Sequence, residues 1–238
     1  MPTVLITGAA KRLGKVLAEF FASKNWEVII HYNNSDNAAK ELSLSLQKKY
    51  YGREFSIVKA DLSDPEQASA LLINQLHIKR PDLLINCASI FESSNIGETN
   101  YKLLRRHMKV NFEAPFMLMH EFYNCYGKGN IINILDARII SNSWSHAAYS
   151  LSKKSLTELT RMAAFEWAPN IRVNAVAPGP VLPPPGKDKS YLERVAADTP
   201  LKKSVDLNSF LESVWFLVTN SAITGQIIYC DSGAHLKG

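Results

Sequence analysis

The 238-residue sequence predicts one α/β domain, built on a doubly wound parallel sheet of about seven strands. Three observations predict it. Short apolar runs alternate with helix-length segments of mixed polarity, the order that builds strand–helix–strand crossovers. The runs are near-continuous in Val, Ile and Leu, as strands buried on both faces require. A glycine-containing turn, Thr7–Gly14, directly follows the first run and opens the first helical segment.

In chain order, Val4–Ile6 precedes a helix over Lys11–Ser23, Glu27–His31 precedes Asn37–Tyr50, and Phe55–Lys59 precedes Pro65–Leu76. Leu83–Asn86 then precedes a long helix, Tyr101–Tyr123, and Asn130–Leu135 precedes Ala147–Trp167. Ile171–Val176 and Gln226–Tyr229 complete the strands, with a helix over Ser204–Val218 between them. Right-handed crossovers turn this order into a doubly wound sheet. Two stretches break the rhythm. Phe91–Asn100 lacks apolar periodicity, and Pro178–Ser190 carries five prolines and two glycines. Loops after strand C-termini line the ligand crevice of such a sheet. The segments 87–100 and 178–200 are therefore expected to be substrate loops of one domain spanning 1–238, the second with a mobile lid.

Composition excludes several classes. A formal charge of +5 is spread over dispersed residues, so neither a nucleic-acid footprint nor a basic arm is expected. No apolar stretch is long enough to span a bilayer. Cys87, Cys125 and Cys230 have neither paired metal-ligand spacing nor a disulfide framework, so no metal is expected. Free thiols and an N-terminus that enters a strand at once point to the cytoplasm.

In the Thr7–Gly14 turn, Gly8 permits the tight turn and Gly14 close helix packing, while the helix N-terminus offers amides to a pyrophosphate. Arg12 stands where a small residue is common, adding a cation beside an anionic ligand. After the second strand comes His31-Tyr32-Asn33-Asn34-Ser35, with no carboxylate before Asp36. An NAD site needs an acid there for the ribose hydroxyl. Lys11 and Arg12, with donors from Asn33, Asn34 and Ser35, suit a 2′-phosphate instead, so NADP(H) is the expected cofactor. Asp61 is placed either to accept from the adenine amino group or to cap the helix near Pro65.

The chemistry is carried by Tyr149 and Lys153, four apart on one helix face, and by Asp136, thirteen residues before Tyr149 at a strand end. A phenol, an amine and a carboxyl group beside a nucleotide make proton-transfer machinery. Asp136 could instead cap the following turn, with Ser141, Ser143 or Ser145 as the hydroxyl of a carbonyl reductase, although four to eight residues is a short spacing for that place. Phe91 could stack on a flat substrate or merely pack under its loop. Asn111 could hold a water or kink the helix. His146 and His235 read as loop and tail residues.

With these landmarks in order, including Asn86-Cys87-Ala88-Ser89, Asn111 and Pro178-Gly179, the chain resembles the short-chain dehydrogenase/reductase family from Thr3 to its C-terminus. Within it, the arginine in Thr7–Gly14, the Asn86–Phe91 stretch, Asp136 in the usual place of a serine, and the tail Thr224–Lys237 look like the pteridine and dihydromonapterin (dihydrofolate) reductases. The resemblance implies a Rossmann-type domain and a homotetramer joined through Asn100–Tyr123 and Ser145–Trp167. It adds Leu13, Leu62, Asn86, Ala88, Pro178, Gly179 and Val181 to the cofactor contacts. It places Arg12, Ser89, Phe91, Asp136 and Tyr149 around a pterin. An arginine that helps hold the 2′-phosphate in some pteridine reductases falls here at Asn34. The expected reaction is NADPH-dependent reduction of a dihydropterin C=N bond. Lys153 would hold the nicotinamide ribose and lower the Tyr149 pKa, while Asp136 and Tyr149 donate the proton. Two alternatives are a carbonyl or alcohol dehydrogenase on another substrate and a non-enzymatic dinucleotide sensor.

Overall fold

The computed structural model describes every residue except 76–78, 142, 143, 185, 187 and 238. Seven parallel strands form one sheet: β1 (Thr3–Ile6), β2 (Glu27–Tyr32), β3 (Phe55–Lys59), β4 (Leu83–Asn86), β5 (Gly129–Ile134), β6 (Ile171–Pro178) and β7 (Ile227–Cys230). Their spatial order is β3-β2-β1-β4-β5-β6-β7. The winding reverses beside β1, with β2 on one side and β4 on the other, so the loops leaving β1 and β4 diverge and open a crevice.

Alternate strand residues face opposite layers. Val4 and Ile6 pack with α1 (Arg12–Ser23), α2 (Asp36–Lys49) and α8 (Leu207–Thr219), through Leu17, Phe21, Leu42, Phe210 and Val214. Leu5 packs on the other face against α3 (Pro65–Gln75), α5 (Ala114–Tyr126) and α6 (Ala147–Glu166), through Leu72, Leu118, Phe122 and Ala163. All of these side chains are buried. Two dry layers of this kind hold the strand ends at fixed spacing, as close-packed interiors do.

Two expectations are corrected. The long helix predicted over 101–123 is interrupted: α4 (Tyr101–Met108) passes through a π-helical turn, Lys109–Glu113, before α5. Asn111 sits inside that turn, fully buried. Its Oδ1 accepts from the Ser89 hydroxyl (3.1 Å) and the Ile90 amide (2.9 Å), and its Nδ2 donates to the Ile90 carbonyl (3.0 Å) and Ser152 Oγ (3.1 Å). The extra residue of the turn aims this amide sideways, into the loop after β4, and π turns often mark such places. Asn111 is thus a strut between α6 and that loop. The second correction lies in 178–200, which holds a helix, α7 (Lys189–Ala197). Asp188 starts it by accepting from the Ser190 amide (3.0 Å) and hydroxyl (2.6 Å), a capping signal that the flanking prolines masked. Among the described residues, no helix is long and apolar enough to cross a membrane.

Candidate active site at the sheet's switch point

Glycine geometry explains the floor of the crevice. Gly8 has φ +66°, a left-handed conformation, and a Cβ on it would lie 3.0 Å from Ala88 Cα. A Cβ on Gly14 would lie 2.3 Å from the Gly8 carbonyl oxygen, so only glycine lets α1 start this close to the strand. Thr7 stitches the two diverging loops, its Oγ1 accepting from the Cys87 amide (2.9 Å) and the Ala88 amide (3.0 Å). No side chain caps the N-terminus of α1, and its first helical amide to bond back is that of Lys15, to the Lys11 carbonyl. The amides of Arg12, Leu13 and Gly14 therefore face the crevice with the positive end of the helix dipole behind them, a fit for a pyrophosphate.

The crevice encloses about 770 Å³ and follows the C-terminal strand ends. Its wall includes Gly8, Lys11, Arg12, Leu13, Gly14, Asn33, Asp61, Leu62, Ala88, Ser89, Phe91, Asp136, Tyr149, Lys153, Pro178, Gly179 and Val181, all expected from the sequence. Three expected residues lie off the wall. Asn34 is exposed beyond it, and Ser35 occupies the N-cap position of α2 without a side-chain cap bond. Asn86 points into the core, where its Nδ2 donates to Asn133 Oδ1 (2.8 Å), part of a buried chain ending on Thr160.

Beyond β2, Asp36 is already engaged. Tyr32 donates to one of its oxygens (2.6 Å) and Lys40 pairs with the other (2.7 Å), which holds its carboxyl below the usual range. Among the described residues, a ribose diol thus meets no unengaged carboxylate at this strand end. Across the crevice Asp61 accepts from the Ser63 amide (2.9 Å), whereas the cap of α3 is Asp64, which accepts from the amides of Glu66 and Gln67. The capping alternative for Asp61 therefore falls to its neighbour.

At the other end, Tyr149 on α6 donates its hydroxyl to Asp136 Oδ2 at 2.8 Å. The second carboxyl oxygen accepts from the Arg138 amide at 2.8 Å, so Asp136 caps the short turn Ala137–Ile139 and still meets the phenol. Lys153, one turn along α6, is 3 % exposed and donates to the Ile134 carbonyl at 2.8 Å. Burial pulls its pKa down to about 8. The expected lowering of the Tyr149 pKa by Lys153 is not what the structure holds. Burial first, and the Asp136 charge and hydrogen bond after it, raise it well above 10, while the Lys153 ammonium donates to the Ile134 carbonyl. The phenol keeps its proton. Of the alternative serines, Ser141 lies on the wall and donates to the Arg138 carbonyl (3.2 Å), Ser145 bonds His146, and Ser143 lies outside the described residues.

Phe91 stacks on His146 at 4.3 Å and meets Tyr149 edge-on at 4.7 Å, yet remains 42 % exposed on the wall. The ring packs against these neighbours and leaves part of its surface open on the wall. Arg138 stands over the ring (5.5 Å) and donates to His146 Nδ1 (3.1 Å). Burial, and then the Arg138 charge, push the His146 pKa down, so its imidazole is neutral. Arg12, at φ +54°, donates to the Pro183 carbonyl (2.9 Å) and clasps 178–184 across the crevice. Sequence reasoning passed over His31, Arg138, His146, Tyr191 and His235, all on the wall except His146, which backs Phe91. None has a local signal, because they come from separate parts of the chain: β2, the turn after β5, the start of α6, α7 and the C-terminal turn.

A family model described as enoyl-(acyl carrier protein) reductase matches residues 8–235. The chain is 26 % identical to a dihydromonapterin reductase of Klebsiella pneumoniae, covering 98 % of this chain and 97 % of the relative. It is 26 % identical to a short-chain type dehydrogenase/reductase of Picea abies, covering 96 % and 90 %. Among solved structures it resembles FolM alternative dihydrofolate reductase 1 of Brucella canis, complexed with NADP, at 33 % identity and a TM-score of 0.90, covering 99 % of this chain and 94 % of that one. With this crevice, this strand order and these matches, the chain belongs to the short-chain dehydrogenase/reductase family of oxidoreductases.

Proposed function

We propose that this protein is an NADPH-dependent pterin reductase, which reduces the C=N bond of a dihydropterin such as dihydromonapterin, dihydrobiopterin or dihydrofolate. The observation that carries the reading is the 2.8 Å bond from the Tyr149 phenol to Asp136. A carboxyl group coupled to a buried phenol is a proton source suited to a ring nitrogen, whereas a ketone reductase needs only a hydroxyl beside the tyrosine. The relatives named dihydromonapterin reductase and the NADP-bound FolM structures support it.

When bound, the dinucleotide supplies a hydride to the ring carbon. The residues do the rest. The first amides of α1 hold the pyrophosphate, with Lys11 and Arg12 adding positive charge. Asn33 would face a 2′-phosphate from the wall, with Asn34 and Ser35 lying beyond it. Asp61 and Leu62 take the adenine, while Ala88, Pro178, Gly179 and Val181 pack along the nicotinamide half. Lys153 orients the nicotinamide ribose and keeps a positive charge under the site. The Asp136–Tyr149 pair passes a proton to the ring nitrogen, so hydride on carbon and proton on nitrogen turn C=N into CH–NH. Phe91, held upright by His146, offers a platform for the flat heterocycle, and Ser89 and Arg12 meet its polar edge. The segments 87–100 and 178–200 form the substrate mouth.

The test is to offer purified protein with NADPH dihydropterins, dihydrofolate and simple ketones, and to follow loss of reduced-cofactor absorbance. Turnover of a dihydropterin is expected. Ketone turnover without pterin turnover would replace this reading with the carbonyl-reductase one, and tight NADPH binding without turnover would favour a sensor.

The same reading extends to assembly and place. Exposed Phe116, Tyr123, Leu151, Met162 and Phe165 lie on α5 and α6, the surface a homotetramer would cover. Free cysteines suit a reducing cytoplasm.

A further inference from the structure

His31 is the last but one residue of β2, 2 % exposed, on the crevice wall. Its Nδ1 accepts from the Gly8 amide at 3.0 Å. Its Nε2 lies 3.1 Å from the Ala60 carbonyl, which can only accept, so the ring proton sits on Nε2. The backbone repeats the pattern: the Ala9 amide donates to the His31 carbonyl (2.8 Å), and the Ala60 amide donates to the Tyr32 carbonyl (3.1 Å). One imidazole of β2 therefore bridges two loops. On one side is the glycine turn that ends at α1. On the other is the Ala60–Ser63 turn, which carries Asp61 and Leu62. The bond also commits the Gly8 amide, so the anion-facing donors of this turn are the amides of Arg12, Leu13 and Gly14.

We propose that His31 is a positioning residue for the adenosine-phosphate half of the dinucleotide, setting the spacing between the pyrophosphate turn and the adenine wall by bridging Gly8 and Ala60. Neutrality is part of the device, since a second ring proton would turn the Gly8 contact into donor against donor. β2 and β5 are three strand spacings apart, roughly 14 Å, so the effect falls on cofactor binding and leaves proton transfer at Asp136 untouched. The inference rests on the nicotinamide-dinucleotide reading of the crevice, and the experiment keeps the two apart.

The experiment compares wild type with His31→Asn and His31→Val. Binding of NADPH and of the fragment 2′,5′-ADP is measured by calorimetry, steady-state kinetics at saturating pterin gives kcat, and thermal melts check folding. Asparagine places an oxygen where Nδ1 stands and keeps the Gly8 bond, but it falls short of Ala60. Valine removes both bonds. Loss of a hydrogen bond of ordinary strength changes affinity about three- to tenfold. NADPH and 2′,5′-ADP are expected to weaken by the same factor, about tenfold in His31→Val and about threefold in His31→Asn, with kcat within twofold. Should His31→Val not fold, the threefold loss in His31→Asn at unchanged kcat decides alone. Unchanged affinity in His31→Asn, a loss equal to that of His31→Val, or a matching fall in kcat overturns the proposal. Failure of wild type to bind NADPH at all would overturn the cofactor reading instead.

Discussion

His31→Asn should remove an acid sensitivity that the folded protein carries. In the fold, burial holds the His31 ring near neutrality, with a pKa down at about 4, against 6.5 in the unfolded chain. The Ala60 carbonyl offsets a little of that shift by accepting from Nε2. Between pH 4 and 6.5 the unfolded state therefore binds the extra proton and the folded state refuses it. Stability from this residue is complete above about pH 6.5 and is lost as pH falls through that window. At pH 7 the folded ring is neutral and the unfolded ring about one-quarter charged. At pH 5 the unfolded ring is almost wholly charged and the folded ring about one-tenth charged, which integrates to about 2 kcal/mol of lost stability between the two. Urea unfolding at pH 7 and pH 5, on wild type and on His31→Asn, isolates this quantity, because every other titrating group is common to both. Wild type should lose about 2 kcal/mol more than the variant on acidification. A wild-type-minus-variant difference that stays the same at the two pH values would refute the buried, two-bond description of this ring.

Other outcomes follow from the proton site and the glycine turn. Asp136→Asn should keep NADPH affinity and lower kcat on a dihydropterin by about 100-fold or more, the range of general acid catalysis, whereas an unchanged kcat would make the acid structural. Because Lys153 is neutralised near pH 8 rather than 10.5, kcat/KM should fall as pH rises through about 8, with the ammonium active below it. A profile flat to pH 10 would contradict the role given to Lys153. Gly14→Ala would drive a Cβ into the Gly8 carbonyl and Ala9 Cα, all backbone, so NADPH binding should vanish and unfolding free energy should drop by about 1–3 kcal/mol in calorimetry.

Local signals in the sequence encode much of this molecule. Continuous Val/Ile/Leu runs separated by helix-length segments determined seven strands and their parallel order, because each run is buried on both faces. Tyr149 and Lys153 share a helix face through their spacing of four, and the Asn130–Leu135 run delivers Asp136 to a strand end, so the 2.8 Å contact was foreseeable. Gly8 and Gly14 likewise announce close backbone approach. Tertiary structure decided what depends on direction across the sheet. Asn86 turned inward to Asn133, a choice of strand face that a four-residue run does not encode. Lys153 turned to the Ile134 carbonyl and the phenol to Asp136, and burial with the Asp136 charge raises the phenol pKa, the reverse of the expected effect. The Asn111 strut in the π turn and the stacking of His146 under Phe91 each join residues distant in the chain, whereas the helix behind Asp188 rests on a local cap that the flanking prolines obscured. His31 read as one more strand residue. Only when β1 and β3 flank β2 do Gly8 and Ala60 come within one imidazole's reach of each other.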